Sequence, residues 1–196
     1  MNKISLKIIA EEHQALAAML QSLILMAKRS HQETTSNDFE VMRAILFYIT
    51  EFPERLHHHK ETEILFPMIS SRTNEVDKVI DKLNSQHAQG EAAVHRLMHY
   101  LISWEMMGET RQAQFVDAVK NYVDFYLDHM SVEANEIIPL AKKVLSEEDW
   151  QALDIAFMNN QDPLIGAKPS KEYERLFNQI LSNAPNPIGL GKVMNA

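Results

Sequence analysis

The chain has 196 residues, of which 45% are hydrophobic and 23% charged, so it is long and apolar enough to fold around a buried core. It has no cysteine, which excludes disulfide bonds, thiolate metal ligands and cysteine nucleophiles. The formal net charge is -8, no cluster of Lys and Arg stands out and no segment approaches about 18 uncharged apolar residues, so we expect a cytoplasmic protein with no nucleic-acid or membrane partner.

Four long segments repeat apolar residues every three or four positions, which is the period of a helix packed on one face. The segments span residues 5–29, 38–69, 75–107 and 109–144. We expect Ser36, Asn37 or Asp38 to cap the second helix. Pro53 should bend that helix, and Gly108 should end the third. Helices of this length joined by short loops predict an all-α fold, an antiparallel up-down four-helix bundle.

The C-terminal quarter of the chain predicts a short helical extension of this bundle. Ser146 precedes two glutamates and an aspartate, which is the pattern of a capped helix start. A last helix is expected at residues 170–183, followed by a Pro- and Gly-rich tail that we expect to be loosely held. We therefore divide the chain into a bundle domain, residues 1–145, and an extension, residues 146–196, to which the sequence assigns no chemistry.

The second and fourth helices share a motif of His, Glu and Pro at equal spacing. The motif consists of His57, Glu61 and Pro67 in the second helix and of His129, Glu133 and Pro139 in the fourth. Residues four apart lie on one helical face, so each motif points an imidazole and a carboxylate in the same direction. The first and third helices each add one matching histidine, His13 and His87. The same helical hairpin therefore occurs twice, and packing the copies with rough two-fold symmetry brings four His and two Glu into one core.

Such a set of side chains suits a metal site. Imidazoles and carboxylates bind iron, zinc, manganese and copper, and six of them exceed the four ligands of one tetrahedral zinc ion. They fit two metal ions that are bridged by carboxylates and a solvent oxygen. In an apolar core without metal, each unpaired polar group would cost roughly 2–7 kcal/mol. The residues alone do not decide between iron, manganese and zinc.

The stretches HHHKETEILFP and HMSVEANEIIP, together with the isolated His13 and His87, resemble the hemerythrin-like, or HHE cation-binding, domain over roughly residues 5–145. That family folds as a four-helix bundle around a non-haem di-iron centre. Its members carry or sense O2, handle NO or peroxide, or serve iron homeostasis and the repair of iron centres. The resemblance implies two iron ions joined by an oxo or hydroxo bridge. The ligands that it implies are His13, His57, Glu61, His87, His129 and Glu133, with both glutamates as candidate bridges.

One position departs from the oxygen-carrying members, which have a second histidine four residues after that of the third helix. Glu91 stands there in this chain, which disfavours reversible O2 storage by five imidazoles and resembles the sensing and repair branches better. Glu91 and His58 are further candidates, as ligands or as groups that orient a ligand. Neighbours on a helix diverge by about 100°, so we expect His58 and His59 to point away from His57, towards solvent.

The sequence is compatible with several functions. The leading hypothesis is a di-iron protein that binds or reacts with O2, NO or peroxide at an open iron position. A second is a di-iron enzyme of the oxidase or peroxidase type. A third is an iron-responsive module that binds a second copy of itself or another protein through its C-terminal helices. A bundle with two surface ion pairs and no metal would require the repeat to be accidental.

Overall fold

Helices make up all regular secondary structure in the part of the chain that the computed structural model describes, which is residues 3–29, 31–159, 162–166, 171, 173–186 and 188. The bundle helices are α1 (Ile4–Ala27), α2 (Ser36–Ile49 continued by Thr50–His57, His58–Lys60, Glu61–Leu65 and Phe66–Ser70), α3 (Asp77–Met107) and α4 (Gln112–Val132 continued by Glu133–Ile137 and Ile138–Val144). Each of α1 and α3 packs against both α2 and α4. The predicted all-α bundle is confirmed. Within the described ranges, no helix is both long and apolar enough to cross a membrane.

The helix ends follow local sequence, with one shift from the prediction. The cap of α2 is Thr35 rather than one of the three residues after it. Thr35 has an extended backbone, its hydroxyl accepts from the Asp38 amide, and the Asp38 carboxylate accepts from the Thr35 amide. This reciprocal pair satisfies two donors that the helix start leaves open. Gly108 ends α3 as expected, with a φ of 82° that favours glycine. A 3₁₀ turn, Glu109–Arg111, then precedes α4.

Both His-Glu-Pro motifs contain a turn of π-helix. These turns span Glu61–Leu65 in α2 and Glu133–Ile137 in α4, and a third π segment, Thr50–His57, surrounds Pro53. In each motif the amide just before the proline donates to the carbonyl of the motif glutamate, five residues earlier. A proline has no N–H and its ring displaces the carbonyl four residues before it, so the shared proline disfavours an ordinary α-turn there. The repeat in the sequence is therefore also a repeat in backbone geometry, placed where the glutamates turn inward.

The bundle core consists of two apolar clusters separated by a polar layer. One cluster contains Leu16 of α1, Phe52 of α2, Val94 of α3 and Tyr126 of α4, and the other contains Ile9, Leu65, Leu83 and Ile137 of the same helices. On every bundle helix the predicted metal-ligating residues lie between these positions. The apolar clusters therefore hold the polar layer from both sides.

In its described residues the extension has two α-helices, which pack on the bundle, and a 3₁₀ turn, Pro163–Ile165. α5 (Glu147–Met158) lies against α1, and α6 (Glu174–Asn183) lies against α2. Ser146 caps α5 as predicted, by accepting from the Asp149 amide. Phe157 of α5 and Phe177 of α6 are buried, one in each apolar cluster. Both helices of the extension therefore contribute to the core, and the domain boundary at residue 145 stays a prediction.

The last predicted helix and the tail differ in part from expectation. The helix expected from residue 170 begins at Glu174, with residues 170 and 172 outside the described part. The start of the tail is held closely rather than loosely: Ala184 is fully buried, and Ser22 Oγ donates to the Pro185 carbonyl at 3.2 Å. The tail residues 187 and 189–196 lie outside the described part. The apolar contact and the hydrogen bond anchor the tail where α6 ends.

Candidate metal centre

Four of the predicted ligands form a first group of donors in the polar layer. They are His13, His57, Glu61 and Glu133. His13 Nε2 lies 3.0 Å from His57 Nε2 and 3.2 Å from Glu133 Oε2. His57 Nε2 lies 3.2 Å from Glu61 Oε1. All the donor atoms of this group lie within 4.8 Å of one another, so one ion could contact them together.

A second group lies beside the first and shares a carboxylate with it. Its members are His58, Glu61, His87 and His129, again within 4.8 Å of one another. Glu61 Oε2 lies 3.5 Å from His87 Nε2. Glu133 also reaches across, with Oε1 3.1 Å from His129 Nε2. The two carboxylates thus stand between two positions for a cation, and all six predicted ligands meet there.

The spacing and burial of these donors fit metal ligands. Two atoms bound to one ion at about 2.1 Å and at right angles to each other lie about 3 Å apart, which is the separation of the closest pairs here. Five buried atoms of the groups have no hydrogen-bond partner: Glu61 Oε2, His87 Nε2, His129 Nε2 and both carboxylate oxygens of Glu133. Buried polar atoms without a partner are costly, and a cation would satisfy all five. The groups therefore form a candidate metal-binding site.

The outer nitrogens of the motif histidines are held by residues that the sequence analysis did not single out. His57 Nδ1 lies 2.6 Å from Glu12 Oε2, and His129 Nδ1 lies 3.2 Å from Gln86 Oε1. Both oxygens accept only, so each Nδ1 carries a proton and each Nε2 points inward. Glu12 and Gln86 directly precede the lone histidines of α1 and α3. The polar residue before each lone histidine was a signal in the repeat that could have identified them.

Two more imidazoles are oriented in the same way. Thr62 Oγ1 donates to Asn84 Oδ1 at 3.1 Å, so it accepts from His87 Nδ1 at 2.9 Å. His58 Nδ1 lies 3.0 Å from Glu54 Oε2. Four imidazoles thus hold a protonated Nδ1 outward and direct Nε2 inward, which is the orientation in which a neutral imidazole binds metal.

The electrostatics of the site favour a positive charge inside it. Burial lowers the pKa of His57, but Glu61 and Glu12 outweigh burial and hold this pKa well above its usual range. Burial raises the pKa of Glu133, but the adjacent imidazoles of His129, His13 and His87 outweigh burial and hold this pKa well below its usual range. The carboxylates therefore stabilise a cation in the site, whether a proton or a metal ion.

The expectation that His58 faces solvent is wrong. His58 is 4% exposed and belongs to the second group, while its neighbour His59 is exposed as predicted. A divergence of about 100° between neighbours on a helix lets His57 and His58 enter two cation positions that lie side by side. Burial lowers the pKa of His58 well below its usual range, so the ring is neutral. Five imidazoles, not four, therefore face the polar layer.

Glu91 has a different place. It is exposed and belongs to neither donor group. It lines a cleft of about 390 Å³ between α2 and α3, together with Glu63 and His59, and the inner wall of this cleft includes the rings of His58 and His87. A second, much smaller cavity of about 10 Å³ lies beside His13 and His57. The cleft thus connects the surface with the second donor group.

The family model of the hemerythrin HHE cation-binding domain matches residues 5–141. This range covers α1, α2, α3 and most of α4, and it includes every residue of both donor groups. A search of curated proteins finds no match to this chain.

Proposed function

The chain belongs to the hemerythrin HHE cation-binding domain family, and on that premise we propose that it holds two iron ions in its polar layer and binds or reacts with O2, NO or peroxide there. The observation that carries the proposal is the pair of donor groups that share Glu61 and are both contacted by Glu133. Imidazole and carboxylate suit iron, with manganese and zinc as the alternatives that metal analysis separates.

The donor count supports an open position for a small ligand. The first group offers two imidazoles and the second offers three, besides the shared carboxylates. Three imidazoles would fill the second position more completely than two would fill the first, so a small ligand would find a free place beside His13 and His57. Iron bound there in its reduced state would supply electrons to O2, NO or peroxide. The cavity beside these two histidines holds about one water, so this side admits only a very small molecule.

The chain's own residues have separable tasks in this proposal. Glu61 and Glu133 neutralise and hold the pair of ions, and Glu12 and Gln86 orient the imidazoles that bind them. The two apolar clusters exclude water from both ends of the layer. This division leaves the position beside His13 and His57 with fewer imidazole donors than the other position.

A second candidate is a di-iron enzyme of the oxidase or peroxidase type. The cleft of about 390 Å³ favours it, because it leads to His58 and His87 and has room for a substrate larger than O2. Consumption of many equivalents of peroxide or NO per chain would favour the enzyme, and a single equivalent would favour a binding protein or sensor. The cytoplasmic location and an interaction role for the C-terminal helices stay predictions.

The test is metal analysis with an optical spectrum of protein purified anaerobically and then exposed to air. We expect two irons per chain and near-ultraviolet bands of a bridged ferric pair that appear in air. The matched variants are Glu61→Ala, which should lose the iron and the bands, and Glu63→Ala, an exposed carboxylate two residues away that should retain both. A folded protein that takes up no transition metal would overturn the proposal.

A further inference from the structure

We infer that Glu54 is a positioning residue that holds His58 in the second donor group as its third imidazole, and that Tyr122 and Tyr126 hold Glu54 in turn. The inference rests on the proposed function, since it concerns the same metal site. Glu54, Tyr122 and Tyr126 belong to neither donor group. We call Glu54, Tyr122 and Tyr126 the Glu54 clamp.

Both carboxylate oxygens of Glu54 are engaged. Oε2 accepts from His58 Nδ1 at 3.0 Å, one helical turn further along α2. Oε1 accepts from the hydroxyl of Tyr122 at 3.0 Å and from that of Tyr126, both on α4. The side chains of His58 and Glu54 are only 5% and 3% exposed. A buried carboxylate held by three donors has one orientation, and it passes this orientation on to the imidazole.

The rings around His58 restrict it further. It stacks on His87 with centroids 4.0 Å apart and planes 9° apart, and its plane is also 9° from that of Tyr126 at 5.8 Å. Stacking fixes the plane of the ring, and Glu54 fixes its rotation within that plane. One ring nitrogen of His58 lies within 4.8 Å of the donor atoms of His87 and His129, and we assign it to Nε2 because Glu54 engages Nδ1.

Gly90 is an independent sign of the Glu54 clamp. It lies in the interior of α3, where glycine costs about 1 kcal/mol relative to alanine. A Cβ at this position would lie 2.5 Å from the Tyr126 hydroxyl and 3.0 Å from Glu54 Oε1. Only a residue without a side chain leaves space for this contact. The helix thus carries an unfavourable residue at the point where the clamp needs space.

The second hairpin has no such arrangement, although its motif is otherwise the same. Met130 follows His129 as His58 follows His57, and Tyr126 stands three residues before His129 as Glu54 does before His57. The fifth imidazole is thus an addition to one half of the repeat, and the other half supplies the two tyrosines that hold Glu54.

The experiment uses the full chain loaded with Co2+, whose paramagnetism shifts the Nδ1–H proton signals of bound imidazoles in NMR spectra. The variants are Glu54→Ala, Glu54→Gln and His58→Ala, with Glu91→Ala as the control carboxylate on the same cleft. Glu54→Ala and His58→Ala should lose one shifted signal and lower the affinity for the second ion about 10–100-fold. Glu54→Gln keeps an accepting oxygen and should retain the signal, as should Glu91→Ala.

Gly90→Ala tests the Glu54 clamp without removing a polar group. Alanine should make α3 more stable, because it favours helix more than glycine does. Its methyl group should displace Tyr126 and Glu54, so we expect weaker metal binding in the second donor group. Retention of the His58 signal and of affinity in Glu54→Ala, or loss of both in Glu54→Gln, would overturn the inference alone. Failure of the wild-type chain to bind Co2+, Fe2+ or Zn2+ would overturn the proposed function as well.

Discussion

The α1–α2 hairpin and the α3–α4 hairpin can be compared position by position. Each has a lone histidine, a polar residue before it that accepts from the outer nitrogen of the next helix's histidine, and a glutamate at the start of a π turn. The shared elements hold a cation position between carboxylates. What repeats is therefore the set of donors and oriented imidazoles that a cation position between two carboxylates requires.

The differences make the two cation positions unequal. The partner of His57 is the anion Glu12, whereas the partner of His129 is the neutral amide of Gln86. The first hairpin also adds His58, which contributes to the position opposite His13 and His57. An anionic partner increases the donor strength of an imidazole, and an added imidazole fills a coordination place. Under the proposed function, these departures from the repeat, rather than the repeat itself, would decide where a small ligand binds.

The largest effect is expected from removing the carboxylate common to both positions. Glu61→Ala should reduce bound metal from two ions per chain towards none, because Glu61 belongs to both groups. An ion present at 1,000 times its dissociation constant stabilises a fold by about 4 kcal/mol, which for a chain of this size is about 8–16 °C in Tm. Metal analysis and thermal unfolding with and without a chelator check this. An unchanged chelator effect in Glu61→Ala would contradict it.

The next largest effect is expected from removing one histidine that belongs to a single donor group, which should release one ion. His13→Ala should empty the cation position of the first donor group and leave that of the second group occupied. His87→Ala should do the reverse. The measurement is the metal content of each variant after titration with Fe2+ under anaerobic conditions, expected to be one ion per chain. His95→Ala, an exposed histidine on α3, is the control and should retain two. Loss of both ions in each variant would show that the positions fill only together.

An exchange of the outer partners should change affinity without removing a ligand. Glu12→Gln should weaken the first position about 10–100-fold, since the imidazole of His57 loses its anionic partner. Gln86→Glu should strengthen the second position by giving His129 such a partner. Competition with a chromophoric chelator measures both dissociation constants. If both substitutions weakened metal binding, or both strengthened it, the unequal roles of Glu12 and Gln86 would be contradicted.

The smallest effect is expected at the prolines. Pro67→Ala or Pro139→Ala restores an amide that can close an α-turn, which competes with the π turn at the motif glutamate. Each should change the free energy of unfolding by only about 0.4–1 kcal/mol. Metal affinity should fall less than in Glu12→Gln, because every ligand remains. Faster amide exchange at Phe66 or Ile138 would report the altered turn, and a loss of all metal would refute this ranking.

Much of the site was predictable because it is repeated in the sequence. The two motifs and the lone His13 and His87 follow from spacing alone, since residues four apart share a helical face. His58 was not predictable in this way, because its burial depends on Glu54 and on tyrosines of another helix. Glu91 stands at the position expected for a further ligand but faces the cleft.

By itself the sequence determined an all-α bundle, a duplicated hairpin and six residues suited to metal. Helical periodicity and motif spacing are local properties, so the sequence shows them before the packing of the helices is known. Only the tertiary structure decided that the donors form two adjoining groups, that a fifth imidazole joins them, and that α5 and α6 pack against the bundle. These features depend on distances between helices far apart in the chain, which side-chain packing sets and spacing along one helix does not encode.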